Sequence, residues 1–259
     1  TFARDVIEKN ESFGESKIGP DSTIKPETYS IDQILALSSH GDDSAAYQAK
    51  FLLQLEQRGD FSVAHASVSE SVPVFDQLPL EARASLLEGE RRFISETPMI
   101  DYSTVAVSFA KAVEICLLQI IFTPYKSACD ATMTISQEIV IAQQNNNSQA
   151  VSLFKFLEKG QHLELGSMSH LLRLCNGRTA EKEFLIGQLR DFIKFSLNGT
   201  TLLDNENVES IGSIARDFRN PGAHSEILTK AEAQECRQLC IGVLQRLEPC
   251  VAEGRQANT

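Results

Sequence analysis

Apolar residues along most of this chain recur at the spacing of one face of a helix. In the stretch that opens at Asp101, they fall at Val105, Phe109, Ala112, Val113, Cys116, Leu117 and Ile120. Similar patterns predict helices at about 149–159, 166–175 and 180–197, each followed by a glycine or asparagine that can end it. No sustained alternation of apolar and polar residues predicts a strand. The sequence therefore predicts an all-α fold, a helical bundle.

The chain before residue 85 is organised differently from the rest. Residues 9–28 are polar and contain proline and glycine, so we interpret residues 1–28 as the end of a preceding segment followed by a linker. Residues 29–84 have helix–turn–helix lengths, and Gly41-Asp42 and Gly59-Asp60 punctuate them similarly. This weak repeat favours a small helical region, the end of a solenoid. Residues 85–259 are the predicted main helical domain.

Composition and charge limit the classes of function. The 259 residues are 42% hydrophobic and 23% charged, as in ordinary globular proteins, and their formal net charge is −11. Such a chain repels nucleic acid overall, so a nucleic-acid function requires a local basic pocket. The longest apolar stretch, residues 115–122, contains one glutamine. It is well short of the ~20 residues of a membrane span. We therefore expect no membrane contact.

The cysteines and the start of the chain favour a cytoplasmic location. The six cysteines are scattered without a Cys-x-x-Cys motif, and only Cys236 and Cys240 are one helical turn apart. Reduced thiols in a core fit this pattern better than a disulfide framework or a zinc site, so no metal and no other cofactor is predicted. No basic and apolar leader opens the chain, which argues against secretion.

Basic residues flank a predicted helix near residue 216. Its apolar stripe consists of Ile211, Ile214, Ala215 and Phe218. Arg216 and Arg219 are three residues apart, so they share one flank beside that stripe. Because Arg219 lies outside the stripe, we expect its replacement to change stability by no more than about 0.5 kcal/mol.

A proline then separates this helix from the next. Asn220-Pro221 predicts a helix N-cap followed by proline at the first position, with a kink, because a residue before proline avoids the α region. This places Arg219 at the end of one helix and His224 in the first turn of the next. Thr229 and Glu232 form a capping box that starts the last long helix. Its buried face is predicted to be Ala233, Cys236, Cys240, Val243, Leu247 and Cys250.

Arg219 and His224 permit two interpretations. In the structural one, Arg219 satisfies carbonyls at a helix end and His224 is a hydrogen-bonded turn residue. In the functional one, they are a pair that binds a phosphate and transfers a proton. Histidine, with an ordinary pKa of about 6.5, can take or give a proton near neutrality. Arginine offers a planar, permanent cation that suits the charge developing on a phosphate.

The run Arg219-Asn220-Pro221-Gly222-Ala223-His224 resembles the Arg–polar–x–x–x–His signature of HEPN domains. These are small all-helical modules found in many RNases of bacterial defence and toxin systems. The motif lies between the last two predicted helices, as in that family, and the helix carrying Ala110–Glu114 resembles the family's long first helix. The resemblance covers roughly residues 85–250 and adds weight to the functional interpretation.

The resemblance implies a role for each residue of the motif. His224 would be the acid–base group, Arg219 the phosphate clamp, and Asn220 a residue that orients the pair or binds phosphate. Arg216 would contribute to RNA binding. The family also implies a homodimer that brings two motifs into one cleft, and small residues on the last helix, such as Ala233 and Val243, suit close approach of a second copy.

Two acidic residues, Glu114 and Glu226, stand where some members of the family carry functional residues. Some members of the family use a glutamate from an earlier helix, and Glu114 is the candidate here; a charge that points to solvent from an amphipathic helix is the alternative. Some toxin members carry a tyrosine two residues after the histidine, where this chain has Glu226. His162 and His170 are interpreted as surface groups outside catalysis.

Three hypotheses follow. The leading one is a metal-independent endoribonuclease, the effector domain of a bacterial defence or toxin-type protein whose sensor domain precedes residue 1. It would attack through the 2′-OH and leave 2′,3′-cyclic phosphate and 5′-OH ends. The alternative is a non-catalytic HEPN-like module that dimerises or binds a nucleotide. The third is a helical scaffold in which the motif has no chemical role.

Overall fold

The computed structural model describes residues 59–95, 99–131, 151–220 and 227–251. All of them belong to one compact unit, residues 49–259. The predicted linker at 1–28 and the predicted helices at 29–58 lie outside the described residues, as does the segment 221–226 that contains His224.

Every regular element of the described residues is helical. The α-helices are α1 (Gly59–Ser71), α2 (Leu80–Ile94), α3 (Ser103–Leu117), α4 (Thr123–Ala131), α5 (Val151–Lys159), α6 (Leu165–Asn176), α7 (Thr179–Lys182), α8 (Phe184–Asp191), α9 (Asn205–Ser213) and α10 (Lys230–Arg246). The described ranges also contain three π-helical turns, at Leu118–Phe122, Phe192–Ser196 and Ile214–Arg219. No strand occurs in the described part of the chain. The prediction of an all-α fold is confirmed.

Helix α3 lies at the centre of the core. Of the apolar positions that its spacing singled out, Val105, Phe109, Ala112, Val113, Cys116 and Leu117 are buried. Ile120 lies in the π-helical turn that follows and is only partly buried. It packs against α2, α10 and the π-helical turn Ile214–Arg219. The contact with α2 is close, since a Cβ added at Gly89 would lie 3.2 Å from the Ser108 Cβ. A larger residue at 89 would push the two helices apart.

Helix α3 continues through a π-turn into α4, and this stretch, Ser103–Asp130, is long and apolar enough to cross a membrane by length and composition alone. The expectation of no membrane span rested on unbroken apolar runs, so it did not anticipate a stretch interrupted by Lys111 and Glu114. More than half of its most apolar window, 56%, is buried inside the protein. A core helix passes the same test, so the finding is weak evidence for a membrane segment.

The predicted boundary after residue 84 lies inside α2, and residues on both sides of it share one core. Helix α1 packs along α2, and the Ser67 hydroxyl of α1 donates a hydrogen bond to Glu90 of α2. Arg237 of α10 donates two hydrogen bonds to the same carboxylate. The described end of the predicted small helical region, residues 59–84, therefore packs into the main domain.

Helix α10 begins at the predicted capping box. The Glu232 backbone N–H donates to the Thr229 hydroxyl oxygen, and the Thr229 N–H donates to the Glu232 carboxylate. The predicted buried face is confirmed, since Ala233, Cys236, Cys240, Val243, Leu247 and Cys250 are all buried. These residues pack inside their own chain. Contrary to the expectation, they are therefore not exposed for contact with a second copy.

The six cysteines are all buried and none forms a disulfide. The Sγ atoms of Cys236 and Cys240 lie 3.9 Å apart on successive turns of α10. Burial raises the pKa of the Cys175 and Cys250 thiols to about 12 and that of Cys116 further. Because the thiolate is the reactive form, these side chains act as small apolar core residues.

Candidate active site

The residue Arg219 ends a π-helical turn that is seated on the core. Ile214, Ala215 and Phe218 are buried, as their spacing predicted. The Asn220 N–H donates to the carbonyl of Ala215, five residues earlier, which is the bond that defines a π-helix. Turns of this kind are often found at functional sites because they displace side chains from the regular helical register.

The prediction that Asn220 leaves the α region is wrong. Its φ of −69° and ψ of −50° are helical, although proline follows. The i−5 hydrogen bond of the π-turn holds Asn220 in the helix, and this bond outweighs the steric preference of a residue before proline. Its side chain is exposed. Arg219 lies at the end of the segment, as expected.

Arg219 lies against Glu114 of α3. The Arg219 Nε is 3.3 Å from Glu114 Oε2, and the exposed fractions of the two side chains are 29% and 12%. The structural interpretation predicted that Glu114 points to solvent and that Arg219 bonds to carbonyls at a helix end. Instead, Glu114 is mostly buried and Arg219 contacts its carboxylate. The structure thus brings together two candidate site residues that lie 105 positions apart in the sequence.

The contact between these two side chains is an ion pair without a hydrogen bond. Glu114 Oε2 is buried and has no hydrogen-bond partner among the described residues. A buried carboxylate oxygen normally accepts at least one hydrogen bond, and leaving it without one is costly. The Arg219 guanidinium, which has five N–H donors, forms no hydrogen bond with the described part of the chain either. The partly exposed guanidinium therefore retains donors for a ligand.

His162 contacts the other oxygen of the same carboxylate. Its Nε2 lies 3.4 Å from Glu114 Oε1, and its side chain is 60% exposed. No sequence pattern pairs these residues, because His162 lies 48 positions from Glu114 in the loop between α5 and α6. Glycine at 160 marked the end of a helix, but nothing in the sequence indicated where the following loop would lie.

Arg216 points elsewhere. Its Nε and one Nη lie 2.7 and 2.9 Å from the oxygens of Asp217, and that Nη also donates to the Ser213 hydroxyl. Its side chain is 66% exposed. The hydrogen bond to Asp217 raises the pKa of Arg216, so it stays charged. A π-helix has more residues per turn than an α-helix, which explains why Arg216 and Arg219 engage different carboxylates.

The described residues thus form a cluster of Glu114, Arg219 and His162, with Asn220 and Arg216 nearby in sequence; we call the first three the Glu114 cluster. His224 and Glu226 lie outside the described residues. In the described ranges, no group of three or more histidine, cysteine and acidic side chains is arranged to hold a metal ion. An arginine and a histidine around one carboxylate can bind a phosphate and handle a proton.

The chain matches no family model, and no characterised protein or solved structure is similar enough to count as a match.

Proposed function

We propose that the Glu114 cluster, together with Asn220 and His224, forms the active site of a metal-independent endoribonuclease of the HEPN type. The observation that supports this most is the ion pair between Arg219 and Glu114. Arg219 belongs to the motif, and Glu114 is the candidate for the glutamate that some members of the same family use from an earlier helix. A contact between these two side chains is what a shared site requires.

In the proposed reaction, Arg219 binds the scissile phosphate and stabilises the charge that develops on it. The 2′-oxygen attacks the adjacent phosphorus while the 5′-oxygen leaves, and His224 exchanges a proton with one of these oxygens. Asn220 orients the phosphate, and Arg216 binds a neighbouring one. The products carry a 2′,3′-cyclic phosphate and a 5′-OH. The protein would be the effector of a bacterial defence or toxin-type system in the cytoplasm.

We also propose that two copies combine into a homodimer with one shared cleft, as the family resemblance implies. A dimer places two copies of Arg219 and His224 in one cleft, so the phosphate clamp and the acid–base group are both present twice. Sedimentation of the protein at tens of micromolar tests this, with and without RNA. A monomer under both conditions contradicts a shared site.

The test of catalysis is cleavage of a mixed RNA pool in excess chelator. We expect 2′,3′-cyclic phosphate and 5′-OH ends, and no cleavage where the residue at the cut carries 2′-deoxy or 2′-O-methyl ribose. Arg219→Lys keeps a cation near Glu114 but loses the planar fork, so we expect cleavage to fall by about a hundredfold or more. Products with 5′-phosphate ends, or a strict requirement for Mg²⁺, contradict the proposal.

One observation favours the non-catalytic alternative. Arg219 is paired with Glu114 and Arg216 with Asp217, so these four side chains carry no net charge. A module that binds a nucleotide, or a second copy, does not need an uncompensated positive pocket. Calorimetry separates the two: binding of a nucleotide together with no cleavage of any RNA supports the alternative.

A further inference from the structure

The position of His162 is fixed by the residues on either side of it. Gly160 has a φ of +61° and ends α5, and the Gln161 N–H donates to the Lys155 carbonyl at 3.2 Å. Only glycine adopts this left-handed conformation without strain. Leu163, the next residue, is buried in the core. The chain therefore turns at Gly160 and is anchored at Leu163, which holds His162 beside Glu114.

The hydrogen bond to Glu114 determines which ring nitrogen carries the hydrogen. A carboxylate only accepts, so the Nε2 of His162 must be the donor in the contact with Glu114 Oε1. In the neutral ring, this leaves Nδ1 with a free lone pair. A carboxylate that orients histidine in this way is the arrangement that prepares its other nitrogen to accept a proton. With 60% of the side chain exposed, the ring is accessible to a substrate.

We propose that His162 is the general base of the ribonuclease reaction and that Glu114 positions it. This rests on the proposed function. His162 Nδ1 takes the proton of the ribose 2′-OH as the 2′-oxygen forms its bond to phosphorus. The bond from phosphorus to the 5′-oxygen breaks, and that oxygen takes a proton from water. His162 leaves the step protonated, and loss of that proton to solvent restores it.

The arrangement of the cluster suits these roles. One carboxylate separates the His162 ring from the Arg219 guanidinium, and in RNA the 2′-OH and the adjacent phosphate are direct neighbours. A nucleotide whose phosphate is bound by Arg219 can therefore present its 2′-OH to His162.

The first test compares His162→Gln with His170→Gln. His170 is exposed on α6 and lies in neither the motif nor the Glu114 cluster, so it is the matched control. We expect His162→Gln to lower kcat by about a hundred- to a thousandfold. A base acts only when unprotonated, so the wild-type rate rises with pH on the acidic side. That limb should flatten in His162→Gln and persist in His170→Gln.

The second test does not depend on activity. Nitrogen NMR of histidine-labelled protein reports which ring nitrogen carries the hydrogen, and we expect the Nε2-protonated form for His162. Glu114→Gln should shift the ring toward a mixture of both forms, while His170 stays unchanged. A His162 ring protonated on Nδ1 in the neutral wild type contradicts the assignment, whether or not RNA is cleaved.

The outcomes for His162 and for the proposed function are separable. If the wild-type protein leaves every RNA intact, the proposed function is wrong, and the base assignment fails with it. If the wild type cleaves RNA while His162→Gln keeps the full rate and the acidic limb, only the assignment of His162 is wrong.

Discussion

Glu90–Arg237 and Glu114–Arg219 are both pairs between a glutamate on a core helix and an arginine from the last part of the chain. In the first pair, Arg237 donates two hydrogen bonds, from Nε at 2.6 Å and Nη2 at 2.8 Å, and Ser67 donates a third at 2.6 Å. The exposed fractions of Arg237 and Glu90 are 15% and 1%. In the second pair, a single contact of 3.3 Å forms no hydrogen bond.

The difference separates a structural pair from a site. The carboxylate of Glu90 has its hydrogen bonds supplied by α1 and α10, so it ties three parts of the fold together and has little capacity for a ligand. Glu114 is mostly buried but lacks such support on Oε2. Native proteins keep poorly satisfied polar groups chiefly where function requires them. The contrast supports placing chemistry at Glu114 and not at Glu90.

The largest effect is expected from breaking the first pair. Arg237→Ala leaves Glu90 as a buried charge without a cation, so we expect the free energy of unfolding to fall by about 3 kcal/mol. Urea denaturation measures this. The matched control is Arg173→Ala, since Arg173 pairs with Glu209 and both side chains are exposed; its loss should be below about 1 kcal/mol. Equal losses in the two variants would contradict the contrast.

A smaller loss of stability is expected from Arg219→Ala. The sequence predicted no more than about 0.5 kcal/mol, but Glu114 is mostly buried, so removal of its cation should cost about 1–2 kcal/mol. Adding Glu114→Gln in the same chain removes the uncompensated charge and should restore most of that loss. A double-mutant cycle in urea measures the coupling. Additive losses would show that Arg219 does not compensate Glu114.

The helices of this fold could largely be predicted from sequence, because burial of one face imposes a period that the residues display. The buried faces of α3 and α10 and the capping box at Thr229 were predicted correctly. The π-turns could not be predicted, since a bond from residue i to i−5 leaves no period of its own. This is why Asn220 was wrongly expected to leave the helix.

For the candidate site, the sequence identified Arg219 and Glu114 but not their contact. Local spacing identifies residues on one face of a helix, whereas this contact depends on how the turn ending at Arg219 packs on α3. His162 was missed for the same reason. Its place beside Glu114 depends on a left-handed Gly160 and a buried Leu163, and an exposed histidine in a loop has no pattern that predicts its partner.

The smallest effects are expected at the ion pair of Arg216 and Asp217. Both side chains are exposed, and the pair is close in sequence to Arg219. Arg216→Ala should leave stability unchanged, weaken RNA binding severalfold and reduce the salt slope by about 0.7, the contribution of one phosphate contact for single strands. Asp217→Asn removes the competing carboxylate and should strengthen binding slightly. Fluorescence titrations of a 2′-O-methyl RNA at several salt concentrations measure both. Arg173→Ala is again the control, because its cation is equally exposed but lies outside the motif. If Arg173→Ala and Arg216→Ala reduce the slope equally, RNA binding follows overall charge, and Arg216 has no specific place in the site.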